Sequence, residues 1–334
     1  MTGKIRAAIV QDAPLPLAID QGIERAVGQV KAAIETGAKV IAFGECFLGG
    51  YPAWLQHLPG PSLWDHPGTR DLHKLLLDRA IRGADPRFEQ LQWVVDVAGV
   101  AVSIGGIERV RSSLYNTQFL LRPKEAPLLH RKLLPAPPER MLFGAGDGST
   151  LETHQAPWGR VGQLISGEHW MPLARAAMHH AGEDVHVSAW TTIRDIDLLA
   201  ACHYAYEGRA FVLAAGTVQN RDDILHGFAQ AGGEGRSAAR ELLDRLPAGA
   251  LQTGGSAIIA PDGVVLAQAG EEPQIVTADL DLSEIDDGLT SMDIDGRHSR
   301  PDVFELRVDR RKRSGIVDID ADDEDGGEGE TRAA

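Results

Sequence analysis

Within its first 45 residues the chain changes hydrophobic period twice, and this change restricts the possible folds more than any other feature. KIRAAIVQ, Lys4 to Gln11, is a short apolar run ended by a turn, as a buried strand would be. From Ile19 to Thr36 the residues Ile23, Ala26, Val27, Val30, Ala33 and Ile34 recur at helical spacing, and Gly37 follows as a C-cap. KVIAFGE, Lys39 to Glu45, is a second apolar strand. Strand, helix, strand is the signature of a sheet with parallel neighbours, so the fold class is α/β.

The same order returns downstream. VAVSIGGIERV and LYNTQFLLRP read as strands joined by a polar link at Arg111 to Ser113. RVGQLISGE reads as a strand followed by a helix near Met171 to Ala181, and DVHVSAW as another strand. Asp195 to Arg209 has the pattern of a helix and leads into the strand FVLAAGT. GGSAIIAPDGVVLAQAG is a hairpin in which Asp262-Gly263 supplies the positive φ of a tight turn. Two halves with strand–helix–strand–hairpin order predict an internal pseudo-repeat. From Asp279 onward the periodicity fades.

Charge and cysteine usage narrow the function classes. The formal charge of −15 argues against nucleic acid, since phosphate binding needs clustered Lys and Arg. Asp318 to Ala334 holds eight acids and one base with little to bury, so a disordered acidic tail is expected. That places residues 1–306 in one domain and 307–334 in a C-terminal extension. The tail is not a calcium loop, because Asp323 occupies the place of the required glycine. Arg310 to Arg313, RRKR, is expected to face nearby acids. Cys46 and Cys202 are far apart, a reduced and cytoplasmic pattern. The first residues lack the apolar core of a signal peptide, and no run reaches membrane-spanning length, so a soluble protein without membrane partners is expected. Neither H-E-x-x-H nor C-x-x-C occurs among the twelve histidines, and no metal is implied.

Three reactive residues share a placement at the end of an apolar strand, where open α/β sheets carry their chemistry. Glu45 ends VIAFGE, Lys132 follows APLLHR, and Ser166 ends VGQLIS. Singly, each has a plain structural use: an ion pair, a surface charge, a helix cap. Together they supply a base, a cation and a hydroxyl.

FGECFLGGYPAW around Glu45, HRKLLPAPPERMLFGAGDGSTL around Lys132 and LISGEHWMPLAR around Ser166 resemble, in order, the signature blocks of the nitrilase branch of the carbon–nitrogen hydrolase superfamily. LYNTQFLL, YEGRAFVLAAG, GGSAIIAPDG and HSRPDVFEL extend the likeness to about residue 306. The resemblance implies a four-layer α-β-β-α sandwich, a homodimer that builds spiral homo-oligomers, a small-molecule nitrile as substrate, and no cofactor. It also implies roles: Glu45 as general base, Lys132 stabilising the charge on the intermediate, Glu139 in PPER as the second glutamate, and residue 166 as nucleophile. His169 and Trp170, just past residue 166, and Tyr51, Trp54 and Trp190, near strand ends, are candidate pocket walls.

Ser166 stands where that family has cysteine. A hydroxyl is far less acidic than a thiol, so an intact pocket with little or no turnover is expected. Cys46 and Cys202 do not substitute, since Cys46 follows Glu45 on the opposite face of an extended chain and Cys202 lies within a helix. The kept surroundings favour a Cys→Ser exchange made to stop or trap turnover over a natural binding or assembly protein. The G-x-S-x-G elbow is absent, with Leu164 and Glu168 in its glycine places, while a Ser166–Lys132 amidase stays open.

Overall fold

The computed structural model describes residues 3–58 and 63–313; the acidic segment from Asp318 lies outside the described residues. The first half runs β1 (Lys4–Gln11), α1 (Ile19–Glu35), β2 (Ala38–Phe43), α2 (Ala53–His57), α3 (Pro67–Arg79) and α4 (Glu89–Ala98). It closes with the meander β3 (Ala101–Val110), β4 (Ser113–Arg122) and β5 (Glu125–Arg131). Then come β6 (His154–Ala156), β7 (Gly159–Ile165), α5 (Pro172–His180), β8 (Val185–Ala189), α6 (Asp195–Gly208) and β9 (Phe211–Ala215). An excursion follows through β10 (Val218–Asn220), α7 (Arg221–Gln230), α8 (Ser237–Asp244) and β11 (Ala250–Thr253). The hairpin β12 (Ala257–Ile259) and β13 (Val265–Gln268) precedes β14 (Gln274–Asp281) and α9 (Ser283–Ser291).

Two six-stranded sheets result, in the orders β14-β1-β2-β3-β4-β5 and β6-β7-β8-β9-β12-β13. In each, three parallel strands are flanked by an antiparallel hairpin on one side and one antiparallel strand on the other. The sheets are therefore topological copies, as the two-fold order of the sequence predicts.

Alternation along the strands explains the four layers. On β1, Ala7 and Ile9 join one core cluster while Ala8 and Val10 join another. On β9, Phe211, Leu213 and Ala215 join the same central cluster as Ala7, and Val212 and Ala214 face the helices α5 and α6. Central strands are thus apolar on both faces, and they read as continuous apolar runs and not as alternating ones. One apolar layer lies between the sheets, and one lies beneath the helices on each outer face. This is the expected α-β-β-α sandwich. No helix among the described residues is long and apolar enough to cross a membrane.

The region after Asp279 differs from the sequence reading. Residues Gln274–Asp281 form an edge strand antiparallel to β1, and helix α9 follows. Only Val276 and Leu280 of that strand are buried, so its pattern is faint. Its register is held by pairing across the whole chain, with Arg6 on Asp279 at 2.8 Å and Lys4 on Asp281 at 3.2 Å. Part of the basic run faces an acid, as expected: the Arg311 and Arg313 side chains pair with Asp309, while the Arg310 guanidinium donates to the Leu151 carbonyl.

Candidate active site

Strand ends from both sheets converge on one cavity of about 590 Å³. Ser166 is the first residue after β7, Lys132 the first after β5 and Trp190 the first after β8, while Glu45 lies two beyond β2. All four line the cavity together with Glu139 and Tyr51. The Glu45 N–H donates to the Trp190 carbonyl at 3.0 Å, which ties β2 of one sheet to β8 of the other. This approach requires glycine on both sides. A Cβ on Gly44 would lie 2.7 Å from the Trp190 oxygen, and one on Gly105 would lie 2.4 Å from the Gly44 oxygen.

Lys132, Glu45 and Glu139 form a buried triad of charges. Lys132 Nζ donates to Glu45 Oε1 at 2.6 Å and to Glu139 Oε1 at 2.9 Å. Glu139 is held in turn by the Ala136 N–H at 2.8 Å and by the Tyr51 hydroxyl. Asn116 Nδ2 donates to Glu45 Oε1 at 2.6 Å. Burial and the charge of Glu139 push Glu45 up to about 7 against the pull of Lys132 and Asn116. Burial alone would lower Lys132, but its two carboxylates outweigh that and raise it above its usual range. The result is a cation that stays charged and a carboxyl poised near neutrality.

The backbone at Ser166 is bent into the left-handed region, with φ at +51°. That conformation costs an L-residue about 1–2 kcal/mol. Ser166 begins the 3-10 turn Ser166–Trp170 and is not its cap. Glu168 stabilises the bend. Its carboxylate accepts from Ile165 N–H at 2.6 Å and from Leu133 N–H at 2.6 Å, linking the residue before Ser166 to the residue after Lys132. His130 Nε2 lies 2.8 Å from the same group. Burial opposes both charges, yet the pairing prevails: His130 is raised and Glu168 is lowered. On its other side, the Ser166 carbonyl accepts a bond from His169 Nδ1 at 2.7 Å.

The expected walls divide. Tyr51, Trp170 and Trp190 line the cavity, with the two tryptophan rings 6.0 Å apart. Trp54 and His169 do not. On α2, residues two apart point about 200° apart, so Gln56 faces the cavity and Trp54 packs in the core. His169 is buried behind residue 166 against His186, Trp190 and Tyr204. Cys46 is buried in the core and Cys202 lies on α6, both off the cavity. Asn116, Arg140, Thr191 and Gln252 went unnoticed in the sequence. Only Asn116, a polar residue inside an apolar strand, carried a signal.

Residues 6–287 match the carbon–nitrogen hydrolase family. Over 322 residues the chain is 36% identical to an aliphatic nitrilase of Sinorhizobium fredii strain HH103, covering 94% of this chain and 98% of that one. Over 343 residues it is 30% identical to an arylacetonitrilase of Macrophomina phaseolina strain MS6, covering 97% and 96%. Among solved structures, a carbon–nitrogen hydrolase from Helicobacter pylori G27 has a TM-score of 0.65 at 16% identity, covering 90% of this chain and 97% of that one. That likeness concerns the fold alone.

Proposed function

The chain belongs to the carbon–nitrogen hydrolase family, in its nitrilase branch, and from that premise we propose that the site is built to hydrolyse an organic nitrile to a carboxylic acid and ammonia. The observation that carries the reading is the buried Lys132 between two carboxylates, on the same cavity as Ser166. With a thiol at residue 166, Glu45 takes the S–H proton as sulfur attacks the nitrile carbon. The nitrogen gains negative charge and then a proton, giving a thioimidate, with Lys132 placed to stabilise that charge. Water adds with Glu45 as base, ammonia leaves, and a second water releases the acid. Leu134, Pro135, Pro137, Trp170, Trp190 and Leu251 offer the substrate an apolar wall.

Ser166 interrupts this at its first step, so the chain as it stands binds a nitrile without turning it over. A serine–lysine amidase is disfavoured, because a lysine engaged by two carboxylates and raised in pKa is a poor proton acceptor. The intact surroundings of residue 166 support an introduced exchange over natural decay into a binding or assembly protein.

Glu45 sets the pH dependence. As general base it works deprotonated, so the acid limb of kcat/KM for the Ser166→Cys protein rises with pH up to about 7. A pH profile checks this, and Glu45→Gln removes the rise along with about 10²–10⁴-fold of the rate. A flat acid limb in the Glu45 protein would assign the base elsewhere.

The exposed stripe Ile196, Leu199 and Tyr206 on α6, with Leu173 on α5, supports the expected homodimer. Arg194 and Asp197 of the same helix start line the cavity, which places this face beside its mouth. Sedimentation should show an oligomer that Leu199→Asp dissociates; an unchanged sedimentation coefficient would exclude this face.

A further inference from the structure

Behind the bend at residue 166 lies a buried polar chain that the hydrolytic steps do not use. It runs from Tyr204 through Glu183, His186 and His169 to the Ser166 carbonyl. Tyr204 Oη donates to Glu183 Oε2 at 2.5 Å, and Glu183 Oε1 lies 2.8 Å from His186 Nδ1. His186 Nε2 lies 2.9 Å from His169 Nε2, and His169 Nδ1 lies 2.7 Å from the Ser166 oxygen. Glu183, His186, His169 and Tyr204 are at most 6% exposed, and none lines the cavity.

The acceptor at the end dictates the protons along the whole chain. A carbonyl only accepts, so His169 Nδ1 carries hydrogen. Burial and the neighbouring His186 hold His169 down at about 3, so the ring is neutral and its Nε2 is bare. His186 must therefore donate through Nε2. Burial also lowers His186, and a neutral His186 then has a bare Nδ1. Only a protonated Glu183 can fill that last gap, and burial raises Glu183 to about 7.

We propose that Glu183, His186 and His169 form a proton-ordered positioning chain, in which one proton held between Glu183 and His186 fixes the hydrogen bond that orients the residue-166 elbow. If that proton leaves, a carboxylate faces a bare nitrogen. Moving the hydrogen of His186 to Nδ1 relieves this but sets two bare Nε2 atoms against each other. Shifting His169 as well leaves a bare Nδ1 against the carbonyl. One lost proton thus leaves one contact of the chain unfilled, and the elbow loses its bond when that defect settles at His169.

Among the described residues no other side chain donates to Glu183. His179 of α5, its ring tilted at 57° and 4.5 Å from the Tyr204 ring, is engaged by Glu207, which Arg175 also binds. His130 is paired with Glu168. From β7 the carboxyl meets backbone, since a Cβ on Gly162 would lie 1.7 Å from Glu183 Oε1.

The orienting role rests on residue 166 being the nucleophile position; the proton order does not, and it can be read in the Ser166 chain itself. Side-chain ¹⁵N NMR of labelled histidine should show His169 protonated at Nδ1 alone and His186 protonated at Nε2, with an infrared carboxylic-acid band near neutral pH that Glu183→Gln removes. His169 protonated at Nε2 alone would overturn the proposal, whatever the activity. Glu183→Gln can donate to His186 and accept from Tyr204, so it should keep both histidine patterns. In the Ser166→Cys background it should hold kcat within about threefold and abolish the alkaline fall in rate, leaving the acid limb of Glu45. Glu183→Leu should lower kcat about 10²-fold with KM unchanged, as for a misplaced reacting group. Equal kcat in the Gln and Leu proteins, or an alkaline limb kept by Glu183→Gln, would overturn the positioning role.

Discussion

Replacing Lys132 with methionine will destabilise the protein by about 3–5 kcal/mol, the range for breaking a buried ion pair by removing one partner. Lys132 is the cation shared by Glu45 and Glu139, and all three are at most 3% exposed. Without it, two buried carboxylates face each other, and Glu45, already raised to about 7, rises further. A carboxyl whose folded-state pKa exceeds its unfolded value stabilises the fold below the unfolded pKa, and that stability is lost as pH rises through the folded value. The Lys132→Met loss is therefore smaller at pH 5 than at pH 8, because Glu45 escapes by keeping its proton. Urea unfolding at the two pH values checks this, and an equal loss at both would mean that the lysine does not govern Glu45. In the Ser166→Cys background the same substitution should remove at least about 10³-fold of the rate. Losing one preorganised charge-stabilising donor costs about 10²–10³-fold, and the misplaced base adds to it.

Ser166→Cys carries the largest gain, on the order of 10⁴–10⁶-fold, comparable with what removal of a nucleophile costs in a hydrolase. An unperturbed thiol titrates at about 8.5, within roughly two units of Glu45. A hydroxyl is a far weaker acid, so the same proton transfer to Glu45 is strongly uphill. His169 does not offer the serine another base, since its Nδ1 is occupied by the backbone carbonyl and its Nε2 points to His186. Oxygen for sulfur changes little in shape, so the elbow already accommodates either atom at φ +51°.

Much of the fold is visible in the sequence because burial on both faces writes itself as continuous apolar strands. KIRAAIVQ and KVIAFGE show this, and the hairpin turn at Gly263, with φ at +84°, was legible from Asp262-Gly263. Strand β14 was not legible, since an edge strand with two buried residues leaves a weak period and draws its register from β1, some 270 residues earlier. Within the site, residues at strand ends could be found because they interrupt apolar runs. Trp54 was misplaced because its direction depends on how a one-turn helix is rotated, which no local pattern encodes. Glu183 and His186 are three apart in a segment that reads as turn and strand, and their link to residue 166 exists only through packing of the Ser166–Trp170 turn against β8.

Glu45, Lys132 and Glu139 are proposed as a nitrile-hydrolysing site that lacks only its sulfur. The most direct test is ammonia release from aliphatic and arylaliphatic nitriles by the Ser166 and Ser166→Cys proteins side by side, with intact-mass detection of adducts. The account predicts ammonia and a transient nitrile adduct on the Ser166→Cys protein, and neither from the Ser166 protein. A folded Ser166→Cys protein inert across both nitrile classes, or comparable turnover by the Ser166 protein, would contradict it.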